Sequence, residues 1–117
     1  MSDDLLFGVH AAALELRSRR MGMIASNIAN ASTPGFKAKD IDFQAALAQS
    51  GGNRNMTDTA IGSATRFRVP VQTSLDGNTV ELATEQTAFA ENAVAYQTTL
   101  SFLNGRIGQI TRALRGE

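Results

Sequence analysis

Apolar positions in the last third of the chain recur every seven residues. One row runs Leu82, Phe89, Tyr96, Leu103, Ile110, and a second, four residues on, runs Gln86, Ala93, Leu100, Ile107, Leu114. Of these ten positions only Gln86 is polar. Alternating steps of four and three put both rows on one stripe of an α-helix. A strict heptad of this length favours a left-handed coiled coil over ordinary core packing. A helix over 78–117 is therefore predicted, shaped to lie along another helix. Asn78-Thr79-Val80-Glu81 offers it a capping box. Arg112 and Arg115 suit its C-terminal end, and Gly116 suits the residue beyond.

The first 33 residues form the other long periodic stretch, with a helix read over about 4–31. Ser2 is placed to cap it, and Asp3 and Asp4 suit the positive end of its dipole. Leu5, Val9, Ala12, Leu16 and Met23 make one apolar stripe, while Phe7, Leu14, Met21 and Ile28 make a second in steps of seven. A helix with two apolar faces has two sets of neighbours. Between them lie Gly8, Ala11, Ser18, Gly22, Ser26 and Ala29, small residues that permit close approach, interrupted by Glu15. Pro34 cannot continue the helix and pushes Thr33 out of the α region. Thr33-Pro34-Gly35 is then a turn, with Gly35 free to take positive φ.

Residues 34–77 have no strong period. Gln44 to Gln49 suits a short alanine-rich helix, and Ser50 to Asn55 has linker composition. Weak alternation around Phe67, Val69 and Val71 suits one or two short strands, with a turn at Asp76-Gly77. Low order is expected here unless a partner supplies surface. The prediction is an all-α chain: two long N- and C-terminal helices, over 1–33 and 78–117, paired as a coiled coil. They flank an irregular middle segment, 34–77, with room for some β-structure or disorder. At ~1.5 Å per residue the helices span roughly 40 and 50 Å.

Composition narrows the function. The 117 residues carry 11 basic and 11 acidic side chains, so no excess basic charge offers a nucleic-acid footprint. Aromatic content is 6% without tryptophan, and much of the 43% hydrophobic content is alanine, so a compact core would be thin. The absence of cysteine excludes disulfides, thiolate metal sites and a cysteine nucleophile. The opening Met1-Ser2-Asp3-Asp4 places acid where a secretory signal has base. No apolar run reaches the ~18 residues of a membrane span, so no direct membrane insertion is expected.

Candidate chemistry is sparse. His10 is the only histidine, with no carboxylate or nucleophile beside it by pattern. Asp40-Ile41-Asp42-Phe43 lacks the further oxygen ligands of a calcium loop, so its acids are read as solvated or capping. No phosphate loop, GxSxG elbow or HExxH appears. No catalytic residue, cofactor or metal is expected, and the chain is not read as an enzyme.

The least ordinary segment is Ser26-Asn27-Ile28-Ala29-Asn30-Ala31-Ser32-Thr33-Pro34-Gly35-Phe36-Lys37. Two asparagines three apart near a helix end share one side of it and carry donors and acceptors together. On residues alone this is either a polar helix end before a turn or a recognition element. The segment resembles the N-terminal signature of the flagellar rod and hook protein family. Leu75 to Leu82, Asn92 to Gln97 and Ser101 to Gly105 are similar to rod members of that family. The likeness covers roughly 5–45 and 72–114, omits 46–71, and departs at Thr98-Thr99.

The resemblance implies a structural subunit of the proximal rod of the bacterial flagellar basal body, in the periplasm, exported without a cleavable signal. Its implied partners are other copies of itself, other proximal rod proteins, the adapter joining rod to membrane ring, and the flagellar type III export gate. Assembly contacts are expected at Asn27, Ile28, Asn30, Pro34, Gly35 and Phe36. Further contacts are expected at Leu82, Phe89, Tyr96, Leu100, Leu103, Ile107, Ile110 and Leu114. The heptad alone equally suits a small helical coiled-coil adaptor or export chaperone. Such an adaptor would be a stable dimer, whereas a rod subunit would be marginally folded until assembled.

Overall fold

The computed structural model describes residues 2–51 and 57–116, with side chains from residue 8 onward except that of Thr57. The expected capping by Ser2, Asp3 and Asp4, the positions of Leu5 and Phe7, and linker residues 52–55 lie outside what is described. The chain forms α1 (Ser2–Ala29), β1 (Lys39–Ile41), α2 (Phe43–Ser50), α3 (Thr57–Ala64), β2 (Thr65–Phe67) and α4 (Leu82–Arg115). Its extents are 65 × 24 × 18 Å.

The long helices α1 and α4 pack together and run antiparallel. Asn27 meets Glu85 near one end, Asn92 meets the Arg17 carbonyl in the middle, and His10 meets Phe102 further along. As position rises in one helix it falls in the other. The signature turn closes as predicted, with Gly35 at φ 75°, a left-handed conformation that a side chain would strain.

The junction between α1 and α4 differs from the expected capping box. α4 starts at Leu82, and its cap residue Glu81 makes no side-chain capping bond. Asn78 serves the turn that follows α1 instead: its amide donates to the carbonyls of Asn30, Ala31 and Thr33 at 2.9, 3.1 and 2.7 Å. Carbonyls of a turn have no helix or sheet ladder to pair with and need another partner when covered. Here the 76–79 segment covers them, so an amide replaces water. Asn78 Oδ1 accepts from the Val80 N–H at 2.7 Å. The segments 33–38 and 76–79 are further joined by Gly35 N–H to Asp76 O and Thr79 N–H to Phe36 O, both 2.9 Å.

The middle is more ordered than its lack of period suggested. β1 and β2 pair antiparallel, Lys39 opposite Phe67 and Ile41 opposite Thr65. Asp42 caps α2 by accepting from the Ala45 N–H at 3.2 Å. Both short helices and the ribbon pack on α1 around Leu16, Ile41, Ala46, Ala60 and Ala64, with Met23, Phe43, Leu47 and Ile61 at the margin. This core escaped the pattern because three of its five members are alanines, and its anchor Leu16 belongs to α1. Beyond β2 the alternation continues without a partner strand: Val69, Val71 and Leu75 are exposed. Much of the small-residue stripe of α1 is also uncovered among the described residues. Ser18, Gly22, Ser26 and Ala29 are exposed, and no atom lies within 4 Å of a Cβ built on Gly22.

Candidate functional site

The seam between the long helices is polar at its centre. The largest fully buried side chains are Leu16, Ile24, Glu85, Asn27 and Asn92, so three of the five are polar. Such groups need partners inside the protein. Asn27 satisfies both ends of its amide. Its Nδ2 donates to the Lys39 carbonyl at 2.7 Å and to Glu85 Oε2 at 3.0 Å, and its Oδ1 accepts from the Lys39 N–H at 3.2 Å. Asn27 thus binds β1 as a strand neighbour would and ties it to α4.

Glu85 also pairs with the Arg68 guanidinium, and Arg68 Nη2 reaches Asp40 Oδ2 at 2.9 Å. Arg20 grips the same carboxylate with a fork, Nε to Oδ1 at 2.8 Å and Nη2 to Oδ2 at 2.9 Å. Two guanidiniums, two carboxylates and one amide therefore join α1, β1, the segment after β2, and α4. Such forked pairs are the geometrically specific kind. Burial pushes the Asp40 carboxyl up, but the Arg20 hydrogen bond and charge, the Ile41 N–H and Arg68 outweigh it and hold it below the usual carboxylate range. The bond to Asp40 raises Arg20 in turn. Arg17 packs on the Phe43 ring, 4.0 Å from its centroid, and burial pulls its pKa down.

The predicted contact residues fall into distinct places. Asn27 is buried in the junction. Asn30 is half-buried and stays local: its Nδ2 donates to the Ser26 carbonyl at 2.8 Å, and its Oδ1 accepts from the Thr33 hydroxyl at 3.0 Å. Ile28 and Phe36 are half-buried, while Pro34 and Gly35 are exposed at the turn. Of the contacts predicted on α4 only Leu103 is buried; Phe89, Tyr96 and Leu100 are half-buried. Leu82, Ile107, Ile110 and Leu114 are 46%, 50%, 41% and 84% exposed. α4 thus turns Glu85 and Asn92 toward α1, and much of its apolar heptad remains outside.

The junction residues Arg20, Asp40, Arg68 and Glu85 were not singled out as contacts from sequence. Glu85 and Asn92 lie seven apart, which was the available signal, but their partners are distant in the chain. His10 stacks on Phe102 with centroids 4.4 Å apart. Among the described residues no group of three or more acids or histidines could hold a metal. Among the described residues no helix is long and apolar enough to cross a membrane. Thr98, at the departure from the family pattern, turns its hydroxyl to the Val94 carbonyl at 3.0 Å.

An elongated helix pair with a buried polar junction and an uncovered apolar row has the form of an assembly subunit. Residues 7–37 match the family model described as flagella basal body rod protein. The chain is 52% identical to the flagellar basal body rod protein FlgB of Cereibacter sphaeroides, covering 94% of each chain. It is 41% identical to the FlgB of Aeromonas hydrophila, covering 100% of this chain and 98% of the relative. Identity to the FlgB of Escherichia coli is also 41%, over 88% of each. The chain belongs to the FlgB family of flagellar basal body rod proteins.

Proposed function

We propose that this chain is a structural, non-enzymatic subunit of the proximal rod, polymerising with its own copies and with homologous rod proteins to carry torque from rotor to hook. The supporting observation is the apolar row of α4 left outside after α1 and α4 have paired. Exposed rows of this kind mark interaction surfaces. Leu82, Ile107, Ile110 and Leu114 would meet neighbouring subunits, while Leu103 and the half-buried Phe89, Tyr96 and Leu100 hold the pair. Asn27 acts inside the subunit. Ile28, Asn30, Pro34, Gly35 and Phe36 shape the turn it presents outward. On this reading 1–33 and 78–117 form the rod core, and 34–77 is a lateral piece.

The subunit would work in the periplasmic rod after export through the flagellar type III gate without signal cleavage. The adapter to the membrane ring would lie against it. Replacing Ile107 and Leu114 together by Asp tests this. Both are exposed, so the subunit should fold, whereas burying either at an interface is worth about 1.5–3 kcal/mol. The variant should be secreted at the normal level, leave cells non-motile, and be missing from isolated basal bodies. Motile cells with intact rods would refute the reading.

A further inference from the structure

We infer that Arg17 is an anchor for a carboxylate presented by a different protein, not by another copy of this chain. The inference rests on the polymerisation reading. Arg17 stands on α1 in the middle of the seam, where Asn92 Nδ2 donates to its carbonyl at 2.8 Å. Its guanidinium carbon lies 4.0 Å from the centroid of the Phe43 ring, and Phe43 is itself packed against the core. Backbone and side chain are therefore both held in place.

Stacking orients the guanidinium but does not neutralise it. The other arginines of this region each hold a carboxylate: Arg19 pairs with Glu15 and Asp58, Arg20 with Asp40, and Arg68 with Asp40 and Glu85. Arg17 forms no ion pair among the described residues. It is half-buried, and its Nε is buried without a hydrogen-bond partner. Burial and the charge of Arg20 both disfavour its charged form. A desolvated guanidinium without an anion destabilises the subunit that carries it. A flexible apolar side chain such as methionine would cover the Phe43 ring as well. Held on an aromatic face with donors unfilled, an arginine is ready to take a carboxylate at small ordering cost. Desolvated arginines of this kind dominate the energetics of protein interfaces.

The source of the carboxylate follows from what the chain has left to offer. Every described carboxylate except Glu91 already accepts a hydrogen bond or an ion pair within its own subunit. Glu91 is exposed, but it acts on Arg20, whose charge acts in turn on Arg17. Arg17 and Glu91 therefore lie close together in one copy. A contact that paired Arg17 of one copy with Glu91 of another would be face to face and self-complementary, and such a contact stops at a dimer. A growing rod needs contacts that continue from copy to copy. Arg17 is left for a segment of a different protein that presents Asp or Glu.

Carbodiimide joins an amine to a carboxylate that touches it, and so reads the contact directly. A tagged full-length Arg17→Lys chain is co-expressed with the unmodified chain, so that rods form regardless, and isolated basal bodies are treated with carbodiimide. Mass spectrometry should find the substituted residue in an amide with an Asp or Glu of a different protein. In a second arm, Arg17→Met should leave the urea midpoint of the purified full-length chain unchanged or higher. Expressed alone in cells, the same variant should be secreted normally and enter rods at least tenfold less than the unmodified chain. Five results would each overturn the anchor and leave polymerisation standing: a cross-link to a carboxylate of this chain's own sequence, no cross-link, absence of the Arg17→Lys chain from the rods, a lowered Arg17→Met midpoint, or normal Arg17→Met incorporation. Failure of the polymerisation reading shows separately, as absence of the unmodified chain from isolated rods.

Discussion

Replacing Glu85 by Gln tests the junction directly. The side chain is fully buried and faces two donors, Asn27 Nδ2 and the Arg68 guanidinium. Glutamine keeps the shape but offers one acceptor oxygen and one NH₂. Whichever way it turns, one donor meets a donor. The variant loses one charge-assisted bond, worth about 1.5–3 kcal/mol, and strands a buried polar group. Breaking a buried ion pair from one side costs about 3–5 kcal/mol. Arg68 retains Asp40 at 2.9 Å, which moves the expected loss to about 2–3 kcal/mol. That is roughly a 30- to 150-fold change in the folded-to-unfolded ratio.

Domains hold only about 5–15 kcal/mol in total, and one with an alanine-rich core sits near the lower end. The assay is urea unfolding of the purified full-length chain followed by far-ultraviolet circular dichroism. With a slope of about 1–3 kcal/mol/M, the midpoint should fall by about 1 M or more. Arg68→Met/Glu85→Leu should cost less than the two single changes summed, because it removes charge and counter-charge together. A Glu85→Gln midpoint equal to that of the unmodified chain, at the same slope, would refute the junction as a stabilising element. So would strict additivity in the cycle.

Three further outcomes follow from neighbouring contacts. The folded-state pKa of Asp40 is depressed, so its contribution is present above the unfolded value near 3.8 and lost as pH falls through the folded value. Asp40→Asn should flatten the acid limb of the stability curve below about pH 4, and an unchanged acid limb would contradict this. Asn78→Asp should destabilise more than Asn78→Ala, because a carboxylate facing three carbonyls repels where alanine merely omits the bond; the alanine loss should be about 1–2 kcal/mol by thermal melting, and the reverse order would remove Asn78 as the clasp of the turn after α1. Asn92 is buried with its Oδ1 unpartnered, so Asn92→Leu should raise the melting temperature by a few degrees, about 1 kcal/mol; a fall of that size would show that its bond to the Arg17 carbonyl outweighs the apolar gain.

Local features were legible where the code is local. The heptad from Leu82 to Leu114 placed α4, Pro34 and Gly35 placed the turn, and the alanine-rich run anticipated α2, observed as Phe43–Ser50. The face that α4 turns to α1 was not legible. Glu85 and Asn92 share the heptad period with the apolar rows, and the choice between rows depends on partners far away in sequence: Asn27, Arg68 and Arg17. The core of the middle was hidden because alanines carry little hydrophobic signal, yet they pack closely against Leu16. Asn78 shows the ambiguity of a local motif. An asparagine three residues before a glutamate looks the same whether it serves the helix that follows or a turn far back in the chain.

The polar seam and the exposed apolar row are two sides of one arrangement. Had α4 turned its full heptad to α1, little apolar surface would remain for neighbours, and the pair could slide with small loss. A buried ion network contributes little net stability compared with hydrophobic packing, but it penalises error sharply. Slipping α1 by one turn moves Asn27 about 5.4 Å from Glu85 and leaves buried charge without a partner. The same slip draws the carbonyls of Asn30, Ala31 and Thr33 away from Asn78. Register at the seam and the shape of the end surface are therefore set together. A subunit built this way holds one length and one end geometry, and keeps its hydrophobic surface for contacts between copies.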